Sequence, residues 1–352
     1  MEKDFYSRVI FFQIRCCCHI INLIVQADLK LIDNVVDKIR AIGKHFRYSI
    51  PKKKKKFYEI AQQTYHLDAR KRIRGDCCVR WNSTYLMLDH ALYFRSAIDH
   101  VVEKDVEIKA YLLDDDEWYK VSVIHEFLKV FYKVTNEFST SSAPTSNIYF
   151  KGVWDIECML LETANGPHSF LADMVKEMKK KFDKYWLDYN LLLSCACVLD
   201  PRFKLKFVEY CYTILYGEVH AKEKVEEVRA ILCDLLKEYR DVDGGGVGQC
   251  DEIGDETICD VPFASGSDRM ANFSSWINSK EKSVGEKSQL DLYLEEKNID
   301  HNVKLDVLLW WKNHGAPRHP QLAALARDIL AIPISSVPSE SDFSMGKKLI
   351  NP

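Results

Sequence analysis

Apolar residues recur every three or four positions along most of this chain, and that period confines the fold largely to packed helices. Ile21, Val25, Leu29, Ile32, Val36 and Ile39 step by four, four, three, four and three. Such spacing puts side chains on one helix face, and Gly43 is placed to stop that helix. Leu171, Met174, Met178, Phe182 and Tyr185 form a second stripe, and Ala221, Val225, Val228, Leu232, Leu235 and Tyr239 a third. Leu322, Leu325 and Ile329 make a short fourth one, ended by Pro333. Each reads as core. Arg8 to Ile14 (RVIFFQI) departs from the period; its β-forming residues predict a buried strand. One short strand followed mostly by helices is the expectation.

Residues 241–289 break the pattern. They hold Gly244-Gly245-Gly246, many acids and serines, and little apolar periodicity, which predicts a flexible acidic linker and a domain boundary. The chain as a whole has 352 residues, 47% hydrophobic and 29% charged, a globular composition. Its formal net charge of −3 excludes a uniformly basic nucleic-acid coat but not a local basic patch. No apolar run reaches the roughly 18 residues of a membrane span, so no membrane partner is expected. Met1-Glu2-Lys3-Asp4 reads poorly as a secretion signal. The clustered cysteines, Cys16-Cys17-Cys18, Cys77-Cys78 and Cys195/Cys197, do not look like a secreted disulfide scaffold; they read as free, mostly buried thiols of cytosol or nucleus.

Four constellations could carry chemistry. Pro51 precedes five lysines, Lys52, Lys53, Lys54, Lys55 and Lys56, a nuclear-import signal or phosphate-contacting patch on one reading and a solvated loop on the other. Arg70, Lys71, Arg72 and Arg74 add charge just before Arg80-Trp81, a cation–aromatic pairing suited to a DNA backbone and an unstacked base. Cys16, His19, Cys77 and Cys78 could bind zinc, but a Cys-x-x-His half-site without a matching second half is better read as packing. Asp114-Asp115-Asp116-Glu117 could be taken for metal carboxylates; acids just before an apolar helix more simply favour its N-terminal dipole.

Several segments together resemble the hAT superfamily of DNA transposases, in its plant branch with zinc-finger BED (RICESLEEPER-like) members. The first is Arg15-Cys16-Cys17-Cys18-His19-Ile20-Ile21-Asn22-Leu23, similar to that family's Arg-Cys-x-x-His-x-x-Asn-Leu motif, with Cys16 and His19 as its fixed residues. Next come Arg80-Trp81-Asn82-Ser83-Thr84, then Pro144-Thr145-Ser146-Asn147 with Lys181–Trp186 and Val198-Leu199-Asp200-Pro201-Arg202 behind it. The last runs from Ala326-Arg327-Asp328 through Pro338-Ser339-Glu340-Ser341 to Phe343-Ser344. They stand in the family's order.

The resemblance implies a mainly α fold with a partial α/β ribonuclease-H-like core, a large all-helical insertion domain and a C-terminal hAT dimerisation region. On that template residues 1–19 end the core and 20–240 are the insertion and ribonuclease-H-fold region. The linker is 241–289, and 290–352 is the dimerisation region, with Leu308, Leu309, Trp310, Trp311 and Phe343 as its apolar contacts. Lys52 to Lys56, Arg72, Arg74 and Arg80 would contact DNA backbone. Trp81 would stack near a DNA junction, with a core aromatic as the other reading. The family's catalysis uses three carboxylates holding Mg2+ or Mn2+. Glu340 matches the third, while the first two belong upstream of the Cys-x-x-His motif and are not matched by Glu2-Lys3-Asp4-Phe5. The expectation is therefore a chain truncated at both ends relative to the template, with a vestigial Glu340, no cofactor bound by this chain alone and no strand-transfer activity. DNA, a homo- or hetero-dimer with hAT-type proteins and a nuclear location are the expected partners and place. Two alternatives are an interaction module without DNA binding, and a fragment of an active cut-and-paste transposase.

Overall fold

The computed structural model describes residues 15–26, 33–68, 70–77, 81–186, 191–243 and 287–337. The predicted strand at 8–14, Leu29, Ile32, Cys78, Arg80, the linker between 244 and 286, Glu340 and Phe343 lie outside them. Among the described residues every regular element is helical. The chain forms two compact units, one of residues 1–197 with 332–352 and one of residues 198–331.

The first unit is built on α1 (Cys17–Gln26), α2 (Asp33–Tyr48), α3 (Pro51–Gln63), α4 (Trp81–Tyr93), α5 (Arg95–Lys104), α6 (Asp115–Phe138), α7 (Ser146–Ala164), α8 (Ala172–Trp186) and α9 (Leu191–Val198). The 24-residue α6 is its spine: Trp118, Val121, Ile124, Leu128, Phe131, Thr135 and Phe138, three or four apart, are all buried. Helices α1, α2, α4 and α7 pack on it. The acidic tetrad starts this helix. Asp114 accepts from the Glu117 N–H at 2.8 Å while Glu117 reaches back to the Asp114 N–H, and Lys38 of α2 pairs with Glu117 at 2.6 Å. It is thus a capping box with a clamp to α2. Helix α2 does not stop at Gly43. Ile42 and Phe46 continue its buried face, so packing carries the helix on to Tyr48.

Helices α6 and α7 cross where Gly152 meets Phe138. A Cβ at position 152 would lie 2.5 Å from the Phe138 Cζ, so α7 can approach only because the side chain is missing. Gly152→Ala should destabilise the chain by about 1–3 kcal/mol, the usual cost of overpacking, as read from denaturant midpoints; an unchanged midpoint would show that the crossing is loose.

The second unit brings together chain from both sides of residues 244–286. Helix α10 (Lys204–Asp243) is broken at Gly217, whose φ of 78° is the left-handed region that glycine tolerates. It packs on α11 (Gln289–Glu295) and α13 (Pro320–Leu330). Between those come α12 (Val307–Trp310) and a π-helical turn, Trp311–Gly315. Residues 198–204 are the hub. The Tyr293 hydroxyl donates to the Val198 carbonyl (3.1 Å) and the Trp311 indole N–H to that of Leu199 (2.7 Å). The Ile299 N–H donates to Pro201, and the Asn298 amide to Arg202 and Phe203. Asp200, fully buried, accepts from the Arg202 N–H and from its guanidinium, whose Nη2 lies at 2.6 Å. The Leu-Asp-Pro-Arg motif is therefore a turn that holds the C-terminal segment.

Lys204 completes that hub. It is 1% exposed, and its ammonium donates to the carbonyls of Tyr293 (2.5 Å) and Glu296 (2.8 Å), capping the C-terminal end of α11. Burial lowers its pKa from 10.5 to about 8, against the raising influence of Glu296. Between those values the unfolded chain binds the extra proton, so this group's contribution to stability rises with pH from about 8 to 10.5, and the cost of a buried ammonium is fully present below 8. Measured against Lys204→Met by denaturation at successive pH values, the native chain should gain up to about 3 kcal/mol across that window; a difference that stays flat with pH would contradict it.

Candidate nucleic-acid interface

The five lysines lie in the first turns of α3 and not in a loop. Pro51 occupies the first helical turn, where its missing N–H costs nothing, and buried Phe57 and Ala61 dock the helix. The first turn contains no acid, and the lysines face the positive end of the helix dipole. Cations there destabilise a helix, so local stability does not explain this sequence. One lysine is compensated: Lys53 pairs with Asp105 (3.4 Å) and Glu107 (3.0 Å), which also face His45. Lys55 has only Glu59 at 3.7 Å. Among the described residues no carboxylate pairs with Lys52, Lys54 or Lys56, and all five side chains are exposed or half-buried.

Facing α3 runs the segment 70–77. The Ile73 N–H donates to the Tyr58 hydroxyl (3.1 Å), and the Arg72 guanidinium sits 4.3 Å from the centre of the Tyr58 ring. Asp76 fixes the far end of the segment. It accepts from Arg40 (2.5 Å), Ser83 (2.7 Å) and Thr84 (3.0 Å). Burial alone would raise this carboxyl; Arg40 and the two hydroxyls outweigh it and hold it below the usual range. So Ser83 and Thr84 of the Trp-Asn-Ser-Thr motif clamp the strip that carries Arg70, Lys71, Arg72 and Arg74. Nothing in the period of the sequence points to Asp76 or Arg40; the available signal is an acid standing between the basic run at 70–74 and Arg80.

Between α2, α3 and this strip lies a groove of about 570 Å³, lined by Phe46, Arg47, Lys54, Lys55, Tyr58 and Arg72 among others. It brings together three of the residues expected to contact DNA: Lys54, Lys55 and Arg72. Arg74 is exposed on the same strip. Trp81 is placed differently. It is 3% exposed and edge-on to Phe131 at 6.2 Å, so it serves the core of the first unit and offers no face to a base.

Two further motifs meet in the first unit. The Cys17 N–H donates to the Ile334 carbonyl (2.8 Å), and the Cys16 thiol touches Ser335 (3.8 Å) and accepts from the Ser336 N–H (3.4 Å). The Cys-x-x-His motif is thus a seat for the segment that leads to Glu340. His19 is exposed. No disulfide forms among the described residues, and burial pushes the thiols of Cys17 and Cys195 up. Among the described residues the one group able to hold a metal is His45, Asp105 and Glu107, and Lys53 already bridges its two acids. The described residues do not assemble a carboxylate clamp for Mg2+ or Mn2+, and Glu340 lies outside them.

In the second unit Leu308 and Leu309 are 36% and 52% exposed, Trp310 is half-buried, and Trp311 is buried. The apolar run therefore divides: its first half faces outward and Trp311 anchors the Leu199 turn. No described helix is long and apolar enough to cross a membrane.

The chain is similar to known proteins along most of its length. Three family models match in succession: a ZBED1 RNase-like helical domain over residues 14–127, a hAT-like transposase of RNase-H fold over 147–239, and the hAT family C-terminal dimerisation region over 289–352. The chain is 33% identical over 345 residues to the zinc finger BED domain-containing protein RICESLEEPER 1 of Oryza sativa subsp. japonica, covering 95% of this chain and 47% of that protein. It is 30% identical over 343 residues to the putative AC transposase of Zea mays, covering 97% and 42% respectively. The chain thus spans about half the length of the curated relatives it matches. With hAT-type models matched in succession and 30–33% identity to these plant proteins over most of its length, this chain belongs to the hAT transposase family, among its plant-type members.

Proposed function

We propose that this transposase-derived chain binds DNA through the α2–α3 face and self-associates, or pairs with related hAT-type chains, through its C-terminal region in the nucleus. The observation that carries the DNA reading is the uncompensated charge on α3. A helix start filled with lysines that oppose its own dipole, facing a second basic strip, is unfavourable locally and is repaid by a polyanion. A nuclear setting follows from such a ligand. Glu340, in Pro338-Ser339-Glu340-Ser341, resembles the family's third carboxylate.

Association is supported by the exposure of Leu308 and Leu309 within the segment that matches the dimerisation region. A gel shift of the whole chain on duplex DNA at low salt should show a complex, and sedimentation equilibrium should show species heavier than the monomer. Absence of the complex ends the DNA reading. Monomer alone, with and without a full-length hAT-type relative, ends the association reading.

A further inference from the structure

We infer that the groove beside α3 receives one unpaired nucleotide of a DNA strand, with its phosphate on the cationic rim and its base on the aromatic floor. The inference rests on the reading that this face binds DNA, and it names the form of DNA taken.

Size is the first argument. About 570 Å³ lies within the range of roughly 300–1,000 Å³ typical of pockets for small ligands. A base with its sugar fits such a space. A duplex is far wider and keeps its bases stacked inside, so it would reach the rim with phosphates only.

The lining is the second argument. Phosphates alone need cations, and the rim supplies them: Arg47, Lys54, Lys55 and Arg72, against one carboxylate, Glu59. Beneath them the floor is apolar. Tyr58 and Ile73, half-buried, are its accessible part, while Phe46 is 6% exposed and only backs it. A backbone resting on the rim would leave that floor to water, whereas the flat face of a base would cover it. Cations above aromatic rings are the arrangement by which proteins hold single strands without reading their sequence.

Preorganisation is the third. The Tyr58 hydroxyl is held by the Ile73 N–H, and the Arg72 guanidinium is already set over the ring at 4.3 Å. The pair is held together before any ligand arrives, so a base that stacks on it has little side-chain freedom left to remove. Gln62 on the same wall carries an amide that can both donate to and accept from a base edge, which suits any of the four bases.

Fluorescence anisotropy with the whole chain tests this, using a labelled single strand, the same strand as a blunt duplex, and unlabelled thymidine monophosphate or inorganic phosphate as competitors. The single strand should bind about tenfold or more tightly than the duplex at equal salt. Tyr58→Ala, with helicity checked by circular dichroism, should lower single-strand affinity about tenfold more than duplex affinity, and Tyr58→Phe should restore the preference. Thymidine monophosphate should compete better than phosphate, which separates a nucleotide site from a bare anion site. Equal affinity for both DNA forms, equal losses in Tyr58→Ala, or equal competition by phosphate would overturn the inference and leave the DNA reading standing. No binding to either form would remove both.

Discussion

Trp311→Ala should cost the second unit about 3–5 kcal/mol, the range for deleting a buried tryptophan, whereas Trp310→Ala, one residue earlier, should cost clearly less. Trp311 is 2% exposed, lies 5.0 Å from the Tyr293 ring and donates its indole N–H to the Leu199 carbonyl at 2.7 Å. Removing it opens a cavity and leaves a buried carbonyl without its donor, and both losses fall on the turn that also carries buried Asp200 and Lys204. Against the usual 5–15 kcal/mol of folding stability, a loss of that size is large. Denaturant midpoints of the two variants measure it. Equal, small shifts would mean that the 198–204 turn does not hold the C-terminal segment.

The second large effect concerns charge. Replacing Lys52, Lys54, Lys55, Lys56, Arg72 and Arg74 by Gln should weaken duplex binding about a thousandfold at low salt, the scale set by releasing the counterions of about six phosphates. Lys53 has a different role. Its ammonium lies between Asp105 and Glu107, so Lys53→Gln should loosen the docking of α3 more than it weakens DNA binding. Anisotropy titrations of the two variants separate these roles; a Lys53 variant as defective as the sixfold one would contradict the division.

The sequence was readable where neighbours in sequence decide the structure. The stripe Met174, Met178 and Phe182 is buried as its period requires, and so is Leu322, Leu325 and Ile329 before the stop at Pro333. The third stripe turns slightly: Ala221, Val228, Leu232 and Leu236 are buried and Leu235 is half-buried, because steps of four carry the inward face on to Leu236. The acidic tetrad reads as a helix start from spacing alone. Where distant residues decide, periodicity is silent. Asp200 and Lys204 look like surface charges until Tyr293, Glu296 and Asn298, some 90 residues on, close over the turn. Gly43 fails as a stop because Phe46 has a core to enter. The lysine run could have been a loop, since its charge opposes helix formation there; Phe57 and Ala61 make it a helix by tertiary packing. Trp81 beside an arginine carried the chemistry of a stacking residue, and only its neighbour Phe131 reveals the packing role. The groove at Tyr58 has no local signature, because it arises where three segments meet.

The proposed grip of the α3 face on DNA rests on charge. The most direct measurement is the slope of log affinity against log salt for duplex DNA, on the native chain and on the sixfold Gln variant. A slope of about −5 is expected for the native chain and a nearly flat line for the variant. A native slope near zero, or a variant slope as steep as the native one, would show that the grip lies elsewhere or does not exist.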